Sequence, residues 1–139
     1  SPASPFVANF VGMMNFIPAK IGDGSDRLQI GSVTLEGTTP EGLKPGDPVT
    51  LAIRPEEIQI STHSADLKNV TRVTVTESEF LGSVNRLICS LDEDAHTMLL
   101  VEVSSNLMKE LAIVNGSQVS LQFPPEIIRV YPGELNSQT

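Results

Sequence analysis

A chain of 139 residues, 40% of them hydrophobic, is long enough for one domain with a real core or for two small barrels sharing an interface. It is too short to hold a nucleotide-hydrolysing domain as well. Its formal charge of -8, from 9 Lys and Arg against 17 Asp and Glu, argues against a nucleic-acid partner, because binding a polyphosphate needs cations to displace condensed counterions, and no apolar run reaches membrane-spanning length.

The first residues, Ser1-Pro2-Ala3-Ser4-Pro5, lack a basic stretch followed by an apolar one and read as a linker (1–5) cut at a domain border rather than a signal peptide. A long strand is expected from Phe6 to Ile21, with Gly12 as its bend, because a glycine beside large apolar residues marks a bulge or a barrel corner. The polar run Gly22-Asp23-Gly24-Ser25-Asp26 then reverses the chain into a second strand, Leu28 to Leu35. A loop from Glu36 to Gly46 follows, and Val49-Thr50-Leu51-Ala52-Ile53 alternates as a half-buried strand should. Arg54-Pro55-Glu56 and another short strand close this unit.

The same series then recurs. A second long strand is expected from Val70 to Leu91 with its bend at Gly82, followed by the turn Asp92-Glu93-Asp94-Ala95-His96 and a strand from Met98 to Val103. After a loop from Ser104 to Gly116, in which Leu107–Leu111 could form one helical turn, come Val119–Phe123, Pro125-Glu126 and a last short strand. Shifting the sequence by 70 positions aligns it with itself without gaps: Phe10, Gly12 and Asn15 fall on Phe80, Gly82 and Asn85. Gly46, Val49, Leu51, Pro55, Glu56 and Ile58 fall on Gly116, Val119, Leu121, Pro125, Glu126 and Ile128. The expected fold is all-β, a small OB-like barrel built from two tandem repeats of about 70 residues, at 6–69 and 70–132, with a tail at 133–139.

Little in the chain points to chemistry. It has no Gly-x-x-x-x-Gly-Lys-Ser/Thr phosphate loop. His63 and His96 lack neighbours at metal-ligand spacing, and Asp92-Glu93-Asp94 lacks the spaced oxygen ligands and central glycine of a calcium loop. Cys89 lies in the apolar run Leu87–Leu91, where a buried thiol is expected rather than a nucleophile. The expectation is therefore no catalytic residue, no metal site and no cofactor in this segment. Four residues stand out as candidates for an interface or a regulatory contact: Arg54, Pro55, Glu56 and Glu126. Proline restricts Arg54 to an extended conformation and could hold its guanidinium against Glu56 or Glu57. Gly12, Gly82, Asn15 and Asn85 are the strand-bend positions.

The segment Pro5-Phe6-Val7-Ala8-Asn9-Phe10-Val11-Gly12 with Asn15, then Gly46-Asp47-Pro48-Val49 leading to Ile53-Arg54-Pro55-Glu56, then Glu79-Phe80-Leu81-Gly82-Ser83, resembles the transport-associated OB-like (TOBE) region of ABC importer ATPases. The resemblance covers nearly the whole chain. It is similar to the subgroup serving ferric iron, polyamines, sulfate or phosphonates, since the Ser-Ala-Arg-Asn motif of molybdate-binding relatives is missing. Two positions depart from the pattern: Pro124 stands where the first repeat has Arg54, and Thr71 where relatives often carry Gly.

The resemblance implies a non-catalytic C-terminal domain of the ATP-binding subunit, which follows its own ATPase domain and sits peripherally at the cytoplasmic face of the bacterial inner membrane. It implies a homodimer and permease partners, with ATP and Mg held by the missing ATPase domain. The alternative is a sensor that binds an oxyanion between the repeats, with Arg27, Arg54, Arg72, Arg86 and Arg129 as the available donors. Single-stranded nucleic acid ranks below both, because the chain has no Trp and a single Tyr, Tyr131.

Overall fold

The computed structural model describes residues 13–61 and 68–134. The linker 1–5, the beginning of the first opening strand, Gly12 and His63 lie outside the described residues. Among the described residues ten strands form two five-stranded antiparallel sheets. In chain order they are β1 (Asn15–Ile21), β2 (Arg27–Ile30), β3 (Val33–Glu36), β4 (Pro48–Ile53), β5 (Gln59–Ser61), β6 (Val70–Phe80), β7 (Val84–Leu91), β8 (Asp94–Ser104), β9 (Gln118–Gln122) and β10 (Arg129–Pro132). Among the described residues one helix, α1 (Ser105–Glu110), follows β8, and a 3-10 turn precedes β5 (Pro55–Glu57) and β10 (Pro125–Ile127).

Two expected strands are each broken into a hairpin. Leu28 to Leu35 reverses at Gly31, whose φ of 55 lies in the left-handed region that favours glycine, so that Leu28 faces Leu35 across β2 and β3. Val70 to Leu91 reverses at Gly82 (φ 93), and the bend expected there is a full turn between β6 and β7. The bulge in β6 lies between Val75 and Glu77 instead. Helix α1 forms where a single helical turn is expected, and the Ser104 hydroxyl caps it by accepting from the Leu107 amide.

The strand orders are β10-β4-β1-β2-β3 in sheet A and β5-β9-β6-β7-β8 in sheet B. One order becomes the other when β1, β2, β3, β4 and β10 are replaced by β6, β7, β8, β9 and β5. The chain is thus duplicated in structure as well as in sequence, but the last strand of each unit is exchanged. Strand β5 leaves sheet A to pair with β9, and β10 leaves sheet B to pair with β4. The register of the duplication also differs along the chain. From β4 through the 3-10 turn to the exchanged strand, equivalent residues stand 70 positions apart, as in the pairing of Leu51 with Val130 and of Leu121 with Ile60. In the opening strands they do not: β1 meets β4 as β6 meets β9, with Lys20 opposite Pro48 and Thr74 opposite Gln118.

This correspondence gives Asn15 a counterpart that the gapless alignment hides. Asn15 sits opposite Ile53, and in sheet B the equivalent neighbour of Phe123 is Asn69, whose carbonyl accepts from the Phe123 amide at 2.9 Å. Each asparagine clasps the edge strand of the other sheet. Asn15 Oδ1 accepts from the Leu100 amide at 2.7 Å and its Nδ2 donates to the Leu100 carbonyl at 2.9 Å. Asn69 Oδ1 accepts from the Glu36 amide, and its Nδ2 donates to the carbonyls of Glu36 and Phe123, all at 2.8 Å. A side-chain amide matches one peptide unit, so each clasp satisfies backbone groups that an edge strand would otherwise leave unpaired.

The core lies between the sheets. Strand β1 buries Asn15, Ile17, Ala19 and Ile21 and exposes the residues between them, and β7 buries Asn85, Leu87, Cys89 and Leu91. At its centre Ile17, Ile30, Leu35 and Ile53 meet Thr71, Leu91, Leu99 and Phe123, seven of them on seven different strands and Phe123 just past the end of β9, around a residual void of about 10 Å³. A void of that size holds at most about one water molecule.

Asn69 also adopts φ 60, a left-handed conformation that asparagine favours more than alanine does. Asn69→Ala strands three backbone groups and adds backbone strain, and is expected to cost about 3 kcal/mol in urea unfolding. Asn15→Ala, which frees two groups, should cost less, about 2 kcal/mol. Equal and negligible losses would show that the clasps do not join the sheets.

Candidate functional site

Arg54 follows the last residue of β4 in an extended conformation (φ -74, ψ 134), as a residue before proline must, and Pro55 is buried at the start of the 3-10 turn. The turn carries Glu57 back beneath Arg54, so the guanidinium pairs with Glu57 at 3.9 Å, while Glu56 is exposed. A second guanidinium reaches the same carboxylate: Arg129, the first residue of the exchanged strand β10, lies 3.9 Å from Glu57 Oε1. Two arginines, one from each repeat, therefore converge on one carboxylate where the chain crosses between the sheets. The matching turn in the second repeat begins with Pro124-Pro125, and Glu126 is exposed there. The sequence set Arg54 against Glu56 or Glu57 and named Arg129 only as a possible anion donor, because its place beside Glu57 depends on the strand exchange.

The strand-bend residues assemble a second feature. Strands β6 and β7 form an arm that runs past the end of β9, since β9 pairs with β6 only from Val70 to Thr74. At its tip Phe80 is 73% exposed and Leu81 43%. The turn beneath them is fixed: Ser105 Oγ donates to the Gly82 carbonyl, Asn85 Nδ2 donates to Ser105 Oγ at 2.9 Å, and the Ser105 amide donates to the Ser83 carbonyl at 2.9 Å. Gly82 and Asn85 thus hold the tip, whereas Asn15 holds a sheet edge.

A third feature is the outer face of sheet A. Alternation turns Phe16, Pro18 and Lys20 of β1 outward, and the register sets Phe16 beside Ala52 and Arg129, and Pro18 beside Thr50 and Tyr131. Tyr131 is 53% exposed and Phe16 37%. Beside this face a groove of about 370 Å³ lies between β1 and the start of β8, lined by Phe16, Pro18, Asp94, His96, Thr97 and Met98.

Charges of both signs line a pocket of about 290 Å³, where Glu77, Glu79 and Arg86 stand beside Met13, Ser78, Ile88 and Leu100. Arg27 and Lys68 both face Glu36, at 3.6 and 3.4 Å, and Arg86 lies between Glu79 and Glu102, at 3.6 and 3.8 Å. Arg72 donates to Ser120 Oγ at 3.3 Å. Arg27, Arg72 and Arg86 are thus held apart, each against a polar partner of its own fold, while Arg54 and Arg129 meet at Glu57. Among the described residues no group of three or more His, Cys, Asp or Glu could hold a metal ion, and no helix is long and apolar enough to cross a membrane. Cys89 is buried, and burial pushes its thiol up to about 12.

Residues 51–130 match the family model described as the TOBE domain. The chain is 31% identical over 134 residues to the sulfate/thiosulfate import ATP-binding protein CysA 2 of Chromobacterium violaceum, covering 96% of this chain and 36% of the relative. It is 35% identical over 95 residues to the spermidine/putrescine import ATP-binding protein PotA of Mesorhizobium japonicum, covering 66% of this chain and 25% of the relative. It is 29% identical over 140 residues to the Fe(3+) ions import ATP-binding protein FbpC 2 of Rhizobium meliloti, covering 94% and 35%. The chain therefore spans about a third or less of the length of these curated relatives. Among solved structures it is similar to the cytoplasmic molybdate-binding protein ModG with molybdate bound, at a TM-score of 0.70 and 14% identity over 86% of this chain and 96% of that one. The shared fold is the all-β, OB-like tandem expected from the sequence.

The Glu57 pairs are long and half-exposed, so Glu57→Gln should change stability by less than about 1 kcal/mol, and by less still at high salt. Urea titrations at low and high salt check this. Cys89 keeps its proton in the folded state above the pH at which an unfolded thiol loses it. Its contribution to stability is therefore complete below about pH 9 and lost as pH rises toward about 12. Cys89 should resist iodoacetamide at pH 8 in the native state and react once urea unfolds the chain.

Proposed function

The chain belongs to the TOBE domain family, and from that premise we propose that it is the non-catalytic C-terminal regulatory and dimerisation domain of the ATP-binding subunit of an ABC importer. The relatives it matches are named as import ATP-binding proteins for sulfate/thiosulfate, spermidine/putrescine and Fe(3+) ions, and the chain corresponds to only a part of each. In this reading a hydrolysing domain, which holds ATP and Mg, precedes the segment. The assembly sits with permease subunits at the cytoplasmic face of the membrane. The domain contributes surface rather than reaction chemistry, holding two subunits together while their nucleotide sites open and close.

The observation that carries this reading is the placement of apolar and charged groups. Phe16, Phe80, Leu81 and Tyr131 are exposed on a sheet face and on a fixed arm, whereas the arginines are spent on ion pairs and hydrogen bonds within the fold. Exposed aromatic residues on rigid elements are what association surfaces use.

The alternative, an oxyanion sensor with its site between the repeats, draws on the likeness to a molybdate-binding protein, which is a likeness of fold. The central void of about 10 Å³ between the sheets is too small for an oxyanion, the larger groove between β1 and β8 is lined by Asp94 and no arginine, and the pocket at Arg86 also holds Glu77 and Glu79. Sedimentation equilibrium separates the readings: the chain should associate toward twice its 14.9 kDa mass, and a strict monomer with no self-affinity would count against the dimerisation role. Calorimetry with sulfate and molybdate should give no binding heat at millimolar ligand. A saturable heat with one site per chain would favour the sensor.

A further inference from the structure

Asn115 is the one asparagine of the chain that a glycine follows, and both residues are exposed in the turn between α1 and β9. We propose that Asn115-Gly116 is a deamidation site, closed while this turn is folded and open when the turn comes away from β6.

The turn is well defined. Gly116 has φ 92, the Ser117 amide donates to the Val114 carbonyl at 2.9 Å, and the Val114 amide donates to Ser117 Oγ at 2.9 Å. A four-residue turn that needs positive φ at its third position selects glycine there. The first repeat builds the same turn, with Gly46 at φ 91, the Asp47 amide on the Lys44 carbonyl at 3.0 Å and the Lys44 amide on Asp47 Oδ2 at 2.8 Å. There the residue before the glycine is Pro45, which has no side-chain amide to lose, so of the two turns only the second carries the chemistry.

A following glycine leaves the attacking amide nitrogen unhindered. A base takes the Gly116 amide proton, the nitrogen forms a bond to Asn115 Cγ, and the Cγ–Nδ2 bond breaks, with Nδ2 leaving as ammonia. Water then opens the five-membered imide at one of its two carbonyls. One opening gives aspartate, and the other gives isoaspartate, in which the backbone runs through the former side chain.

The fold holds back the first step. The Gly116 amide donates to the Val75 carbonyl at 2.7 Å, so the proton that must leave is already engaged, and the Val75 amide donates in turn to the Ser117 carbonyl at 2.8 Å. Ser78 Oγ donates to Asn115 Oδ1 at 3.4 Å and ties the side chain to the same strand. Reaction therefore requires the turn to open locally. Val75 stands at the bulge in β6, where the β6–β7 arm leaves β9. The imide has no proton on the Gly116 nitrogen and cannot remake the bond to Val75, and isoaspartate lengthens the backbone at the base of the arm.

Peptide mapping by mass spectrometry on the whole chain, held in mildly alkaline buffer with and without urea, tests the site. In urea Asn115 should become aspartate and isoaspartate ahead of every other asparagine. In buffer alone the conversion should be slower by about tenfold or more, because only the open fraction reacts. Ser117→Ala, which removes the acceptor of the Val114 amide, should raise the rate in buffer and leave the rate in urea unchanged. Conversion in urea that favours another asparagine, or spares Asn115, removes the site. Equal rates in buffer and in urea, or a Ser117→Ala chain no faster than wild type in buffer, overturn the control by the folded turn.

Discussion

The exchange of one strand between two duplicated sheets is the constraint on which the remaining structure depends. Strands β5 and β10 each complete a sheet whose other members come from the opposite half of the chain. The two asparagine clasps act in the same direction, because Asn15 ties sheet A to the β8 edge and Asn69 ties sheet B to the β3 edge. Neither half can satisfy its own edges alone, so a backbone hydrogen-bond deficit in one half is a deficit in both.

This arrangement decides where function can reside. The interior is filled by symmetric apolar layers, with Ile17, Ile30, Leu35 and Ile53 answered by Thr71, Leu91, Leu99 and Phe123. What remains for function is the outside. There the fold delivers two surfaces, a sheet face that exposes Phe16 and Tyr131 and an arm with Phe80 and Leu81 at its tip. Both follow from the topology: the face is completed by the exchanged β10, and the arm exists because β6 continues beyond the end of β9.

Sequence showed the strand content, the duplication and the buried faces, because alternation reports which side of a strand is covered. It did not show the exchange, since periodicity gives a strand's face and says nothing about which strand lies beside it. The break between β2 and β3 had a signal in Gly31-Ser32 that the long alternation from Leu28 to Leu35 concealed. Asn69 was hidden for a different reason: a gapless shift of 70 aligns it with Thr139, while its structural counterpart is Asn15. Arg54 was found through its motif, and the carboxylate it meets proved to be Glu57, shared with Arg129. Gly82 was found as a bend, and its service as the anchored turn of an exposed arm depended on Ser105, which lies far along the chain.

Residue-resolved urea unfolding by NMR tests the interlocked fold most directly, with amides of β1 and β4 reporting sheet A and amides of β7 and β9 reporting sheet B. Strand exchange and reciprocal clasps predict one shared midpoint and one slope for both sets. Two separated midpoints, with one sheet persisting after the other has melted, would contradict the account.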